Sequence, residues 1–463
     1  MTQQTLLLML FLLAGFVRTT SVCAQTQPLF QVIEESLGKL LKMPELSARW
    51  ASPDNRHFAY IASVGGKVVV VLDGKQGPQY DSVVKHTLSF SADSQRLVYA
   101  ARRSGKLFLV LDQKEQSLDG DLTPPAFNRN PLLSSDGRHV ACILKRNNNV
   151  VVLRDGVEGK PYEQIVSAAF SPDSQRFLYT AVKGQESFVV VDEVEGKPYR
   201  GVGLPLFSPD SRLVVYSART DAGNLVVVNQ KEGKVHEMLG DITISPDSKH
   251  VAYLGTNPQR FTMAVVDGIE GKPYEAIISA VKFSNDGRHV AYVASHTTHD
   301  AFVVVDGIEH EQYPFVTAPV FSPSRQGFAY RAHKPTGDVL VLNDVEGPTF
   351  KAIDPTSITF SPDSKHLAFK VVAGNKEFIV LDSVANKKYE QVGQPAFSRD
   401  NSHLAYMAQA ANRWRIRIDT FASAPYDSVL NRDALMFAES GELYFIAIRN
   451  NEVFRVKCTP NGP

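Results

Sequence analysis

Hydrophobic positions in this chain fall into short runs that return at a fixed interval. A typical unit reads SAAF (167–170), then SPDS (171–174), then RFLYTA (176–181), then FVVVD (188–192). A strand with one wet face alternates apolar and polar residues, whereas a strand covered on both faces does not. The unbroken run before Asp192 therefore predicts a strand buried on both sides, and the same run recurs as VVVVLD, FLVLD and FIVLD. SPDS between two such segments predicts a tight type I turn: Pro presets φ at its second position, and the Ser and Asp side chains bond nearby backbone.

The marker serine of each unit is Ser52, Ser91, Ser134, Ser171, Ser208, Ser245, Ser284, Ser322, Ser361 and Ser398, with a degenerate copy starting at Ala438. Successive intervals are 39, 43, 37, 37, 37, 39, 38, 39, 37 and 40 residues, a period that marks a repeat architecture. From the marker to the Asp or Asn that ends the third segment the distance is 21 residues in eight copies and 22 in two. The first three strands are thus fixed in length. Variation falls around a short fourth strand, PYE after a DGVEGK-type turn, and the link to the next unit. Four-stranded sheets buried on both faces by copies of themselves describe an all-β fold, a β-propeller of about eleven blades of roughly 38 residues.

SPDS together with an aromatic near the end of the second strand (Tyr60, Tyr99, Tyr179, Tyr216, Tyr253, Tyr292, Tyr330, Phe369, Tyr406) resembles the TolB-like, or WD-like, propeller repeats of bacterial envelope proteins. The resemblance covers residues 45 to 457 and implies fold rather than activity, since such repeats serve many roles. Known rings of four to eight blades favour two tandem rings of five and six over one large ring. Residues 25–44 are expected to form either a strand that completes the last blade, drawn from KLLKM (39–43), or a short amphipathic helix over 29–41 with Leu29, Val32, Ile33, Leu37 and Leu40 on one side. The repeat array is expected over 45–458.

Ahead of the repeats, TLLLMLFLLAGFV (5–17) is too short to span a bilayer. SVCAQ follows it, with small residues at Val22 and Ala24. The segment 1–24 reads as a secretory signal peptide cleaved after Ala24, which implies a periplasmic or secreted protein. Lipidation at Cys23 is the weaker alternative, Val22 being large for the residue before a modified cysteine. No further apolar run of membrane length exists, so no integral span is expected in the mature chain. Cys142 and Cys458 alone do not make a disulfide framework. With 49 basic and 49 acidic residues the chain is not a general nucleic-acid binder.

Catalytic signatures are missing from the sequence. There is no G-x-S-x-G elbow, no H-E-x-x-H and no phosphate-binding glycine loop. No cofactor is expected. Six histidines (His57, His139, His250, His289, His366, His403) share the position five after the marker, where a solvated strand-start side chain explains them and one per blade cannot share a metal. His296, His299 and Asp300 are a weak candidate metal set. The loops between second and third strands differ in every copy and hold thirteen Lys or Arg against six Asp or Glu. Their cations Arg102, Arg103, Lys106, Lys145, Arg146, Arg219, Arg260 and Lys334 make a candidate binding rim for a protein partner or an anionic ligand. The expected function is an exported, non-catalytic propeller that scaffolds contacts through these loops. The alternatives are a lyase or glycan hydrolase working in the central channel, or the accessory propeller of a peptidase system.

Overall fold

The computed structural model describes residues 30–42, 49–123, 130–297, 300–324 and 327–461. The leader, Cys23 and the cleavage site lie outside them. The described chain forms eleven antiparallel sheets, and its single helical element among the described residues is a 3-10 turn, Pro355–Ser357. Blade 4 is representative. Its strands Gln164–Phe170, Phe177–Lys183, Glu186–Val191 and Val194–Glu195 pair in chain order.

Local sequence chemistry sets both turns. The marker turn closes with Ser174 N–H donating to the Ser171 carbonyl, and Ser174 sits at φ 65°. Ser, Asn or Gly fills that left-handed position in the ten marker turns where it is among the described residues. The next hairpin turn holds two consecutive residues at positive φ, Asp192 (50°) and Glu193 (66°), or Asp155 (51°) and Gly156 (83°) in blade 3. This is the primed turn whose twist matches the flanking strands, and it favours Asp or Asn followed by Gly.

The fourth strand begins earlier than PYE. Val194–Glu195 pairs directly after the turn, the chain bulges at Gly-Lys-Pro, and Tyr199 rejoins through a bridge to Ser187. Pro198 has no N–H to give a ladder. Blades 2 and 7, which lack Gly-Lys-Pro here, run on through Lys114–Leu118 and Ile308–Tyr313.

The expected pair of rings is not formed. The buried hydrophobic residues divide into eleven clusters, ten of which join one sheet to its neighbour in sequence. Val215 and Val226 of blade 5 pack on Tyr253 and Val265 of blade 6, the place where a ring boundary would fall. The closing cluster puts Phe58, Tyr60 and Val71 of blade 1 against Ile446, Ile448 and Val453 of blade 11. Eleven interfaces between eleven sheets make one ring.

The ring closes through the N-terminal segment, which is a strand and not a helix. Phe30–Lys39 pairs antiparallel with Glu452–Pro460 as the fourth strand of blade 11. It ends where KLLKM begins, so only Lys39 of that stretch takes part. Alternation sends its two faces to different neighbours. Phe30 packs into the cluster shared with blade 10, and Leu37 into the one shared with blade 1. Glu34, on the Phe30 side, accepts a 2.6 Å bond from the Tyr426 hydroxyl and pairs with Arg449.

Candidate functional site

Antiparallel order places the marker turns and the primed turns on one end of the ring, and the loops between second and third strands on the other. The turn end is a repeated hydrogen-bond device. In nine copies the marker hydroxyl donates to the Asp or its equivalent two residues on and accepts the amide hydrogen five residues on; in blade 4, Ser171 Oγ donates to Asp173 (2.5 Å) and accepts from Arg176 N–H (2.9 Å). The turns also link blades: Asp173 N–H donates to Ser211 Oγ of blade 5 at 3.0 Å, and Asp210 N–H to Ser248 Oγ of blade 6 at 2.9 Å.

The Asp that ends the third strand does more than form a turn. One oxygen accepts an amide hydrogen at the start of the second strand, as Asp155 takes Val140 N–H at 2.9 Å. The other faces the cation five after the marker, as His139 Nδ1 lies 2.8 Å from Asp155. All six histidines of this position are held so, at 2.5 to 2.8 Å. Arg96 and Arg176 take the place in blades 2 and 4. These side chains are therefore clamped rather than merely solvated, and several lie over the aromatic residue of the next blade, as His57 on Phe90 and Arg176 on Phe207. The Asp73 bond raises the His57 pKa above its ordinary value, against the opposing effect of burial.

Charge and partner vary together. Eight copies pair His or Arg with Asp, whereas Leu213 goes with Asn229 and Gly327 with Asn343. In those two the amide oxygen still accepts the strand-start N–H, from Val214 and Phe328, both at 2.9 Å. A half-buried carboxylate without its cation would carry an unpaired charge, and an amide keeps the backbone bond without it.

A second latch joins the fourth strands of consecutive blades. The tyrosine of one donates to the glutamate of the next: Tyr80 to Glu115 (2.7 Å), Tyr162 to Glu195 (3.0 Å), Tyr199 to Glu232 (2.9 Å) and Tyr313 to Glu346 (3.0 Å). The sequence reading missed this latch, although the 33-residue spacing of Tyr162 to Glu195 and Tyr199 to Glu232 carries its signal.

The loop end brings the eight candidate cations to one side of the ring and divides them by environment. Arg102 pairs with Asp121 (2.6 Å), Arg103 with Glu115 (2.6 Å), Arg146 with Glu158, and Lys334 with Glu346 (2.7 Å). Lys106, Lys145, Arg219 and Arg260 have no carboxylate partner among the described residues, and Arg219 lines two clefts, one with Met238 and Leu239, the other with Lys197 and Arg200. In the His296 loop, Asp300 accepts the amide hydrogens of His296 (3.1 Å) and Thr297 (2.8 Å), so the carboxylate closes the loop on itself. His296 Nε2 lies 3.3 Å from Glu309. His299 is outside the described residues.

Blade 8 holds one further group of charges. Asp338 is buried, 3% exposed, with His333 Nδ1 at 2.7 Å and Arg331 at 3.4 Å. Its other duty is to accept Ile353 N–H at 2.9 Å, tying the first strand of blade 9 to blade 8. Glu377 does the same for Val392 one blade on, at 2.8 Å. The group is an inter-blade tie.

No helix among the described residues is long and apolar enough to cross a membrane. No protein-family model matches the chain, and no curated protein matches it. Solved structures similar to it include a eukaryotic initiation factor, at 15% identity over 67% of this chain and 89% of that one with a TM-score of 0.41. An oligogalacturonate lyase in complex with manganese is similar at 12% identity over 63% and 97% of the two chains, TM-score 0.31. TolB from Acinetobacter baumannii is similar at 10% identity over 69% and 79%, TM-score 0.26. The chain's own strand pairing makes it a β-propeller of eleven blades in one ring.

Proposed function

We propose that this protein is an exported, non-catalytic propeller scaffold that holds an acidic protein partner or an anionic ligand on the end of the ring carrying the loops between second and third strands. The supporting observation is the contrast between the two ends. Marker-turn bonds recur at one end from copy to copy, while the other changes in every copy and presents Lys106, Lys145, Arg219 and Arg260 without a carboxylate partner among the described residues. Unpaired cations on a rigid frame attract anionic surfaces at modest entropic cost. Export rests on the leader-like segment 1–24 and is checked by N-terminal sequencing of the native protein, which should begin at Gln25.

The binding test is the variant Lys106→Glu/Lys145→Glu/Arg219→Glu/Arg260→Glu. Tagged native protein and variant are used to capture partners from the native envelope or secreted fraction, with identification by mass spectrometry. The variant should lose the acidic partner and keep its unfolding transition, because none of the four side chains holds a blade together. Equal capture by both proteins refutes the reading.

A further inference from the structure

We propose that the cleft between blades 8 and 9, on the turn end of the ring, binds a neutral saccharide. This site lies on the opposite end from the loop rim and stands independently of it.

Three changes from the repeat coincide there. Gly327 occupies the clamp position that holds His or Arg in eight copies, Asn343 replaces the Asp, and Ser324 replaces the Asp of the marker turn. Together they open a cleft of about 950 Å³ lined by Ser322, Asn343, Phe360, Leu342, Glu346 and His366. That volume suits a bound small molecule. A Cβ on Gly327 would stand 2.5 Å from Asn343 Oδ1, so the amide has moved into space that a clamp side chain's first carbon would claim.

The groups left unused define the ligand. Ser322 is 3% exposed, and its hydroxyl has no hydrogen-bond partner among the described residues. In nine other copies the same hydroxyl has both a donor and an acceptor, for example Ser361 with Asp363 at 2.6 Å and His366 N–H at 3.0 Å. A buried hydroxyl is rarely left unpaired. Phe360 holds the position of Phe90, Phe170, Phe207 and Phe283, each of which lies under a clamp side chain of the preceding blade. With Gly327 in the preceding blade, that ring has no clamp above it.

Among the described residues, the charges around the cleft are already matched. Glu346 pairs with Lys334 (2.7 Å), Asp382 with His366 (2.5 Å) and Asp363 with Lys365 (3.4 Å). The clamp cation and its carboxylate are both absent, so the cleft selects against neither sign and favours a neutral guest. It offers an aromatic face, a buried hydroxyl and an amide. A pyranose matches this set, with a C–H face for Phe360 and hydroxyls that donate and accept toward Ser322 and Asn343.

The test is saturation-transfer NMR on the full chain with maltotriose, cellotriose, xylotriose and triacetylchitotriose, and the peptide Ala-Ser-Ala as comparison. At least one sugar should receive saturation. Gly327→His/Asn343→Asp rebuilds the clamp, so it should abolish the transfer while unfolding at an equal or higher temperature. Ser322→Ala removes a hydroxyl with no internal partner, so it should fold normally and weaken the sugar about tenfold. The proposal is overturned if no sugar receives saturation, if transfer survives in Gly327→His/Asn343→Asp, or if only the peptide responds, which would give the cleft to a protein segment.

Discussion

Ring closure makes a sharp prediction because two residues of one strand serve two different interfaces. Leu37 packs against Phe58, Tyr60 and Val71 of blade 1, whereas Phe30 packs against Trp414, Ile416 and Tyr426 of blade 10. Leu37→Ala removes three methyl-sized groups from a site 9% exposed, which costs about 3 kcal/mol. Phe30→Ala, at a site 1% exposed, costs about 4 kcal/mol. Stacked repeats couple mainly to nearest neighbours, so each loss should stay local. Amide hydrogen exchange reads this directly, and 3 kcal/mol raises the opening population of an affected segment on the order of a hundredfold.

Leu37→Ala should accelerate exchange in Phe58–Val64 of blade 1 and Leu443–Arg449 of blade 11 while sparing blades 5 and 6. Phe30→Ala should do so in Leu404–Ala410 of blade 10 and Leu443–Arg449. In two tandem rings blade 1 would not touch blade 11, and Leu37→Ala would leave Phe58–Val64 protected. Unchanged protection of that strand would therefore refute the single ring.

Three other outcomes are expected. Tyr80→Phe should cost about 1 kcal/mol in urea unfolding, and the cost should vanish in a Glu115→Ala background if the inter-blade latch is its source. His57 has its pKa raised by Asp73, so the clamp's contribution is fully present below pH about 6.5 and is lost as pH rises through the folded value; the difference in melting temperature between native protein and His57→Gln should shrink from pH 6 to pH 8.5. Burial pushes the thiols of Cys142 and Cys458 up to about 12, so both should resist a disulfide reagent at pH 8 until the protein is unfolded.

Blade count, strand order and turn chemistry were legible in the sequence because each depends on local rules repeated many times. VVV before Asp reports burial on both faces, and Ser-Pro-Asp reports a turn, within a few residues. The number of rings was not legible, because it depends on the wedge angle at each interface. That angle comes from small differences in side-chain size, such as Ala181 and Ala218 against Leu144 or Val371 at one repeat position. The helix over 29–41 failed for a related reason. Leu29, Val32, Ile33 and Leu37 suit a helical face, but the last blade lacks a fourth strand, and the open edge at Glu452–Pro460 takes ten residues that would otherwise have no apolar surface to cover. Among the candidate site residues, the loop cations share one end of the ring because strand order alone places the loops there. The sequence had no means to separate Arg103, which reaches Glu115 twelve residues on, from Lys106, which meets no carboxylate among the described residues.

Departures from the repeat carry more information than its agreements. Where Leu213 removes the clamp cation, Asn229 removes the matching charge, and Leu213 still fills the space. Where Phe350 removes the latch hydroxyl, Ala385 stands in place of the glutamate one blade on. Such paired losses keep a blade sound without its polar link, since neither partner is left buried alone. Blade 8 departs from this pattern at its marker serine. Gly327 and Asn343 form a paired loss, but Ser322 keeps a hydroxyl that has lost its carboxylate acceptor and makes no hydrogen bond, and none of the described side chains fills the opening. If the substitutions were drift without consequence, the marker serine of blade 8 should tolerate Ala with no effect beyond a small gain in stability. If the cleft receives a guest, the same change leaves stability almost untouched and costs affinity. One hydroxyl therefore distinguishes a worn copy of the repeat from a copy turned to binding.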